Sequence, residues 1–128
     1  MKSRKGIIKP NGVSLEKHEY DTVLFLTTLG YDITLIPPSH VPNIKTPDFI
    51  MNKIKWEMKS PKGENRSTFE HAFQAALKQS ANVIFDLRRT HMLDSKAIKI
   101  LEQLYGHSKS IRRLVIITKR QKLLEYKK

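Results

Sequence analysis

The sequence contains no cysteine, and this absence excludes two kinds of site. Without thiols there is neither a disulfide framework nor a thiolate zinc site, so any bound metal must use oxygen or imidazole ligands. No segment approaches the run of about 18 apolar residues that spans a bilayer. The basic start of the chain is followed by no apolar segment, so the sequence predicts neither a membrane span nor a signal peptide.

Acidic residues are also scarce, because 12 Asp and Glu stand against 24 Lys and Arg, a formal net charge of +12. An excess of this size favours a nucleic acid or an anionic membrane as partner. No basic amphipathic helix with a lipid-facing side is evident, so nucleic acid is the better prediction, with an ordinary basic domain as the alternative. A length of 128 residues with 39% hydrophobic composition is typical of one globular domain. We predict a basic, mobile lead-in over residues 1–13 and a single domain over 14–128.

Capping residues, apolar periodicity and turn residues predict an α/β fold, with a mixed central sheet flanked by helices. The continuous apolar run at 82–87 is typical of a strand covered on both faces, and the strand, helix and strand around it imply local parallel pairing. The predicted helices are 15–29 with Ser14 as N-cap, 67–80 opened by a capping box Ser67-x-x-Glu70, and one capped by Asp94 or Ser95 that ends at Gly106. The predicted strands are 31–36, the hairpin 48–59, 82–87, 114–117 and 123–126.

The hairpin carries the clearest chemical pattern in the chain. A tight turn at 52–53 places Asp48 directly opposite Glu57, with their Cβ atoms roughly 4.5–5.5 Å apart on one face. Strand alternation adds Lys59 to that face and turns Trp56 to the other, where an apolar layer is expected behind the acidic face. Two carboxylates this close repel each other unless a cation or a shared proton intervenes. The pattern therefore predicts a catalytic or metal site, and an ordinary solvated ion pair is the alternative.

Outside the hairpin, the first predicted helix supplies one more candidate. Glu19 lies in line with Leu15, Val23 and Leu26, and a carboxylate in an apolar stripe is costly unless it meets a cation. The alternative is that Glu19 lies at the rim of the stripe. The five histidines are dispersed without a metal-ligand pair at helical spacing, so each is expected at the surface.

The signature Pro47-Asp48 followed by Glu57-x-Lys59 resembles the PD-(D/E)xK nuclease superfamily. The order of elements from the first helix to strand 82–87 is similar as well. The resemblance implies a restriction-endonuclease-like core in which Asp48 and Glu57, with Glu19, hold a divalent cation, Mg²⁺ or Mn²⁺. Lys59 would stabilise developing negative charge, and Gln79 would orient a water or a phosphate.

A second resemblance covers nearly the whole chain and is to the C-terminal tRNA-nuclease toxin domains of CdiA-type contact-dependent inhibition proteins. It implies an RNase that cleaves tRNA, is neutralised by a cognate immunity protein, and acts in the cytoplasm as a delivered or stand-alone domain. The segments that carry it are His18-Glu19, Leu29-Gly30-Tyr31-Asp32, Pro47-Asp48-Phe49, Trp56-Glu57-Met58-Lys59-Ser60-Pro61-Lys62-Gly63, Ala76-Leu77-Lys78-Gln79-Ser80, Val83-Ile84-Phe85-Asp86-Leu87-Arg88-Arg89 and Ile116-Ile117-Thr118-Lys119.

Basic side chains in and after the site motif are predicted to contact the RNA backbone, which gives affinity without sequence information. They are Lys62, Arg88, Arg89, Arg112, Arg113 and Lys119. Three alternatives remain open. One is a metal-independent RNase toxin of the barnase/EndoU/colicin/RelE type, which would use Glu57 with Lys59 or a histidine for acid–base cleavage through the 2′-hydroxyl. Another is a small DNA nuclease similar to Holliday-junction resolvases, and the last is a nucleic-acid-binding domain without activity.

Overall fold

The structure, a computed structural model, describes residues 4–128, which form one seven-stranded mixed sheet and three helices. The α/β class and the predicted element order are confirmed, with one strand added at the start. None of the three helices is long and apolar enough to cross a membrane. The elements are β1 Ile8–Lys9, α1 Lys17–Thr28, β2 Ile33–Leu35, β3 Phe49–Met51, β4 Ile54–Lys59, α2 Arg66–Leu77, β5 Asn82–Asp86, α3 Asp94–His107, β6 Arg113–Ile117 and β7 Leu123–Lys127.

The strands lie side by side in chain order. The centre, β4–β5–β6, is parallel, because α2 and α3 return the chain to the starting edge after β4 and β5. The pairs β2–β3, β3–β4 and β6–β7 are antiparallel. β7 is an edge strand, as predicted. This arrangement brings the ends of β4, β5 and β6 to the same edge of the sheet.

Apolar side chains form one core on each face of the sheet. On one face, Phe69 and Phe73 of α2 pack with Phe85, and α3 adds Leu101. On the other face, α1 packs against the hairpin and the central strands through residues that include Val23, Leu26, Trp56 and Met58. The prediction of an apolar layer behind the acidic face of the hairpin is therefore confirmed.

The hairpin has the predicted register, with Phe49 opposite Trp56 and Met51 opposite Ile54. Its two turn residues, Asn52 and Lys53, have φ values of 55° and 64°. Positive φ at both central positions is the requirement of the type I′ turn, whose twist matches that of the flanking strands. A one-residue slip would move every side chain of the hairpin to the other face, so this turn sets which residues form the acidic face.

Helix α1 begins two residues later and ends one residue earlier than predicted. Its N-cap is Glu16 rather than Ser14, because Glu19 reaches back to accept a hydrogen bond from the Glu16 N–H at 2.9 Å. At the other end, Gly30 N–H donates to Thr27 O and Tyr31 N–H to Leu26 O, which is the Schellman pattern around a glycine of positive φ. The capping contact places the Glu19 carboxylate beside the first turn.

The other two helix starts also differ from the prediction. The Ser67-x-x-Glu70 capping box does not form, because Glu70 pairs with Arg66 at 2.9 Å and the N-cap is Asn65. Asp94 is the first residue of α3 and not its cap, since its carboxylate accepts the Lys119 N–H at 3.1 Å. In the first case a different local pair engages the capping carboxylate, and in the second a contact 25 residues along the chain does so.

Of the segment 1–13, predicted as a mobile lead-in, residues 4–13 lie against the domain, and residues 1–3 are outside the described residues. Strand β1 pairs in parallel with β2, and Gly6 N–H donates to Thr27 O at 2.8 Å. A Cβ on Gly6 would lie 1.7 Å from Tyr31 O, so only glycine permits this close backbone contact. The strand is only two residues long, which is too short for an alternating pattern, so sequence periodicity did not predict it.

Candidate active site

Asp48 is held above strand β4 by two backbone hydrogen bonds. Its N–H donates to Trp56 O at 2.9 Å, and its Oδ2 accepts the Met58 N–H at 2.8 Å. The first bond goes to the residue that pairs with Phe49, so the regular ladder ends at Phe49 and does not include a direct Asp48–Glu57 pair. The Asp48 carboxyl group nevertheless lies next to Glu57, and both line one cleft.

Glu57 is the buried carboxylate of the site, with a side chain that is 4% exposed. Its Oε2 accepts a hydrogen bond from Gln79 Nε2 at 2.9 Å and lies 3.6 Å from Lys59 Nζ. Its Oε1 is buried and has no hydrogen-bond partner among residues 4–128. An unsatisfied buried oxygen is costly, so this atom is suited to take up a proton or a cation.

Burial raises the pKa of Glu57 to about 8, and the neighbouring Asp48 charge adds to the rise while Lys59 opposes it. Burial also raises the pKa of Asp48, although the Met58 N–H counteracts it; the Glu19 charge is a smaller raising effect. Like charges in a desolvated site cannot easily both ionise. Near neutral pH the pair therefore retains one proton, held on Glu57.

The first turn of α1 closes the cleft that contains this pair. The cleft encloses about 250 Å³. His18, Glu19 and Thr22 line it from α1, while Ser60 and Pro61 line it from the segment after β4. His18 is half-buried here rather than at the surface as predicted. Its position was missed because a single histidine in a first turn carries no periodic signal.

The oxygen atoms that line the cleft are suitable ligands for a hard divalent cation. Asp48 and Glu57 present neighbouring carboxylates, and no hydrogen-bond donor of residues 4–128 contacts Glu57 Oε1. A bound cation would compensate the negative charge of these oxygens. Glu19 is near enough to Asp48 for its charge to be felt, but one of its oxygens caps α1. Within residues 4–128 no three His, Asp or Glu side chains form a preassembled metal-ligand group. The three-carboxylate set stays a prediction.

The six predicted RNA-contacting residues do not form one surface. Lys62, Arg89 and Lys119 follow the ends of β4, β5 and β6, near the cleft edge of the sheet. Arg112 and Arg113 lie at the start of β6, which is the opposite edge of a parallel strand. With five residues at about 3.3 Å each, the two edges are roughly 15 Å apart.

Arg88 lies at the cleft edge but is not a free cation. Its Nε and NH2 donate to the two oxygens of Asp86 at 2.9 and 2.8 Å, and Asp86 also accepts from Thr22 Oγ1 at 2.6 Å. The Asp86 side chain is 3% exposed. Sequence reading placed Asp86 in an apolar strand and missed this ion pair; the signal was an arginine two residues after the carboxylate, just past the strand end.

Comparison with known proteins shows two similarities. A sequence model of the family described as "Contact-dependent growth inhibition CdiA C-terminal domain" matches residues 45–123. Among solved structures, a chain of the "CdiA-CT/CdiI toxin and immunity complex from Burkholderia pseudomallei" is similar, with a TM-score of 0.65 and 17% sequence identity over 91% of this chain and 92% of that chain. At this identity the second similarity shows a shared fold. No curated protein sequence matches the chain.

Proposed function

Because the chain belongs to the contact-dependent growth inhibition CdiA C-terminal domain family, we propose that it is a metal-dependent ribonuclease toxin that cleaves tRNA by phosphodiester hydrolysis. The observation that carries this proposal is the pairing of the half-buried Asp48 with the buried Glu57, whose Oε1 is unsatisfied. Lys59 lies beside the pair, and the chain carries a net charge of +12. Carboxylates, a neighbouring lysine and a basic surface are the groups that phosphodiester cleavage requires.

Asp48 and Glu57 would hold a divalent cation, Mg²⁺ or Mn²⁺, and Glu19 would complement its charge. When bound, such an ion supplies Lewis-acid polarisation of the phosphodiester. Gln79 fixes Glu57 Oε2 through its hydrogen bond, so the other oxygen of Glu57 remains available. The proton on Glu57 must leave when a cation binds, and metal affinity should therefore increase with pH up to about 8.

Lys59 would stabilise the negative charge that develops on the phosphoryl oxygens. Its ammonium group is 3.6 Å from Glu57 Oε2 and its side chain is 26% exposed, so it can reach a substrate in the cleft without losing its anchor. A preorganised donor of this kind is worth about 10²–10³ in rate. Lys62 and Arg89 at the same edge would hold the RNA backbone.

The raised pKa of Glu57 also favours a second candidate, metal-independent acid–base cleavage through the RNA 2′-hydroxyl. A group that titrates near pH 8 is suited to donate or accept a proton at neutral pH. His18 lines the same cleft and would be the second proton-transfer group. In this reaction Glu57 and His18 do the chemistry, and Asp48 only sets the pKa of Glu57.

One experiment separates these reactions and the DNA-directed alternative. The purified chain is incubated with total tRNA or plasmid DNA, with Mg²⁺ or with EDTA, and the RNA ends are identified. We expect cleavage of tRNA that requires the metal, leaves no 2′,3′-cyclic phosphate, and is lost in Asp48→Asn. Cleavage that survives EDTA and leaves a cyclic phosphate would replace the metal mechanism by the acid–base one. Cleavage of plasmid alone would overturn the RNA assignment.

The cognate partner proposed for this toxin is an immunity protein. The similar solved structure is named as a toxin and immunity complex, and a chain with a net charge of +12 would suit an acidic partner surface. Delivery into a target cell and action in its cytoplasm complete the proposal. Co-expression with the neighbouring open reading frame should restore growth if that frame encodes the immunity protein, and continued growth arrest would exclude that candidate.

A further inference from the structure

A second cavity opens beside the carboxylate cleft, on the α1 side of the same sheet edge. It encloses about 390 Å³, at the lower end of the roughly 300–1,000 Å³ of small-ligand pockets. Both cavities are lined by His18 and Ser60, so they adjoin. A substrate with its phosphodiester at Glu57 would bring a flanking nucleoside to this second cavity.

The polar group that lines this cavity most rigidly is the Arg88 guanidinium. Two of its nitrogens are fixed by Asp86, and NH2 also donates to Asp21 O at 2.9 Å. Its carbon lies 4.7 Å from the centre of the Phe25 ring. Within the part of the chain that the structure describes, NH1 has no acceptor, so two N–H donors remain for a ligand.

The inner wall of the cavity suits a neutral base, while the phosphate of the same nucleotide would lie at Arg89, which also lines the cavity. Arg88 is neutralised by the buried Asp86, and Asp21 is paired with Lys17 at 2.9 Å. Leu24 and the edge of Phe25, whose ring face is covered by Arg88, supply an apolar wall. Apolar surface together with a few fixed donors and acceptors is how single-stranded RNA bases are bound, with hydrogen bonds to their edges.

We propose that this cavity binds an unstacked nucleobase next to the cleaved phosphodiester, and that guanine fits its polar groups best. Guanine offers the acceptors O6 and N7 and the donor N2. The free NH1 of Arg88 would donate to the acceptors, and Asp21 Oδ1, which has no hydrogen-bond partner in residues 4–128, would accept from N2. This inference rests on the proposed ribonuclease function, because the position of the cleaved phosphodiester determines where the base lies. It adds to that function a preference for one base at the cut site.

The first test measures binding without cleavage. NMR titration of the full chain in EDTA with 5′-GMP, 5′-CMP, 5′-UMP and ribose 5-phosphate should give the tightest binding with GMP, at least tenfold tighter than with ribose 5-phosphate. The amide signals that shift should include Leu24 and Arg88. Equal affinity for all four probes would mean that only the phosphate binds, and tighter binding of a pyrimidine would overturn the guanine assignment.

Two matched variants locate the site. Leu24→Trp fills the cavity from the exposed side of α1, whereas Tyr20→Trp changes an equally exposed position one turn earlier that does not line it; the two side chains are 42% and 47% exposed. We expect the first to weaken GMP binding at least tenfold and the second to leave it unchanged. Equal effects of the two variants would refute the location.

The second test uses cleavage of a short RNA library with a random base on each side of the cut. The wild type should prefer guanine at one flanking position, and Leu24→Trp should lose that preference more than it loses rate. Cleavage without any base preference overturns this inference and leaves the proposed ribonuclease standing. Absence of cleavage overturns the ribonuclease, and GMP binding then still decides whether the cavity takes a base.

Discussion

The clearest quantitative consequence of the site is that Glu57 should make the metal-free protein less stable as the pH rises. Its pKa is about 8 in the folded chain, against 4.5 when unperturbed. Between these values the folded state holds a proton that the unfolded state has released, so the free energy of unfolding falls as pH increases. The contribution is complete below about pH 4.5 and lost once the pH has passed about 8.

The size of this effect follows from the pKa shift. One pKa unit corresponds to about 1.4 kcal/mol, so a shift from 4.5 to about 8 sets an upper limit of about 5 kcal/mol. Local opening of the cleft to water at high pH reduces the loss. We therefore expect about 2–4 kcal/mol between pH 5 and pH 8.5.

The variant Glu57→Gln isolates this contribution, because glutamine has the shape of a protonated glutamate and does not titrate. The difference in free energy of unfolding between this variant and wild type should be small at pH 5. At pH 8.5 the variant should be more stable than wild type by about 2–4 kcal/mol. Urea unfolding in EDTA, followed by fluorescence of the buried Trp56, measures both proteins. Subtracting the free energy of unfolding of one protein from that of the other cancels the contribution of all groups that titrate alike in both.

Glu64→Gln, which changes an exposed carboxylate, is the matched control and should show no pH-dependent difference. If the free energies of unfolding of wild type and Glu57→Gln change in parallel from pH 5 to 8.5, the pKa of Glu57 is not raised and the reasoning fails. Addition of Mg²⁺ at pH 8 should stabilise the wild type more than Glu57→Gln. Equal stabilisation would place the cation elsewhere.

Further predictions concern the basic residues around the cleft. Lys59→Ala should reduce cleavage of tRNA by about 10²–10³ with little change in binding, while Lys55→Ala, which removes the same charge from the same face of β4, should leave the rate within about twofold of wild type. Arg88→Ala should destabilise the fold by about 3–5 kcal/mol, since it leaves the buried Asp86 charge unpaired, and urea unfolding will show a smaller loss if that charge is solvated. Arg89→Gln should flatten the salt dependence of tRNA binding by about one unit, whereas an unchanged slope would remove Arg89 from the RNA contacts.

The hairpin and its acidic face could be predicted from sequence because they depend on local rules. The two-residue turn sets the register, and the register determines which side chains share a face. Asp48, Glu57 and Lys59 were therefore found together. Gln79 donates a hydrogen bond to Glu57, and its role of orienting a water or a phosphate stays a prediction. None of these inferences required knowledge of which helix covers which face.

The parts that could not be predicted depend on long-range contacts. The N-cap of α1 shifted because Glu19 competes with Ser14 for the cap, and both patterns are locally plausible. The short strand β1 forms by pairing with β2. Its two residues are too few to show a strand pattern of their own. Arg112 and Arg113 were grouped with Arg88 as a basic half of the chain, but parallel strands separate the beginning of β6 from the end of β5 by their own length.

The sheet buries two carboxylates, and their different surroundings explain why one marks the candidate site. Asp86 accepts four hydrogen bonds, from Thr22 Oγ1 and from three nitrogens of Arg88, so its charge is fully compensated within the chain. Glu57 has one oxygen without a donor and a lysine 3.6 Å from the other. A compensated carboxylate anchors structure, whereas an uncompensated one must take up a proton or a cation. Because Asp86 holds Arg88 rigid in the cavity that adjoins the cleft, the compensated acid positions a group that would contact the substrate, and the uncompensated acid is left to act on it.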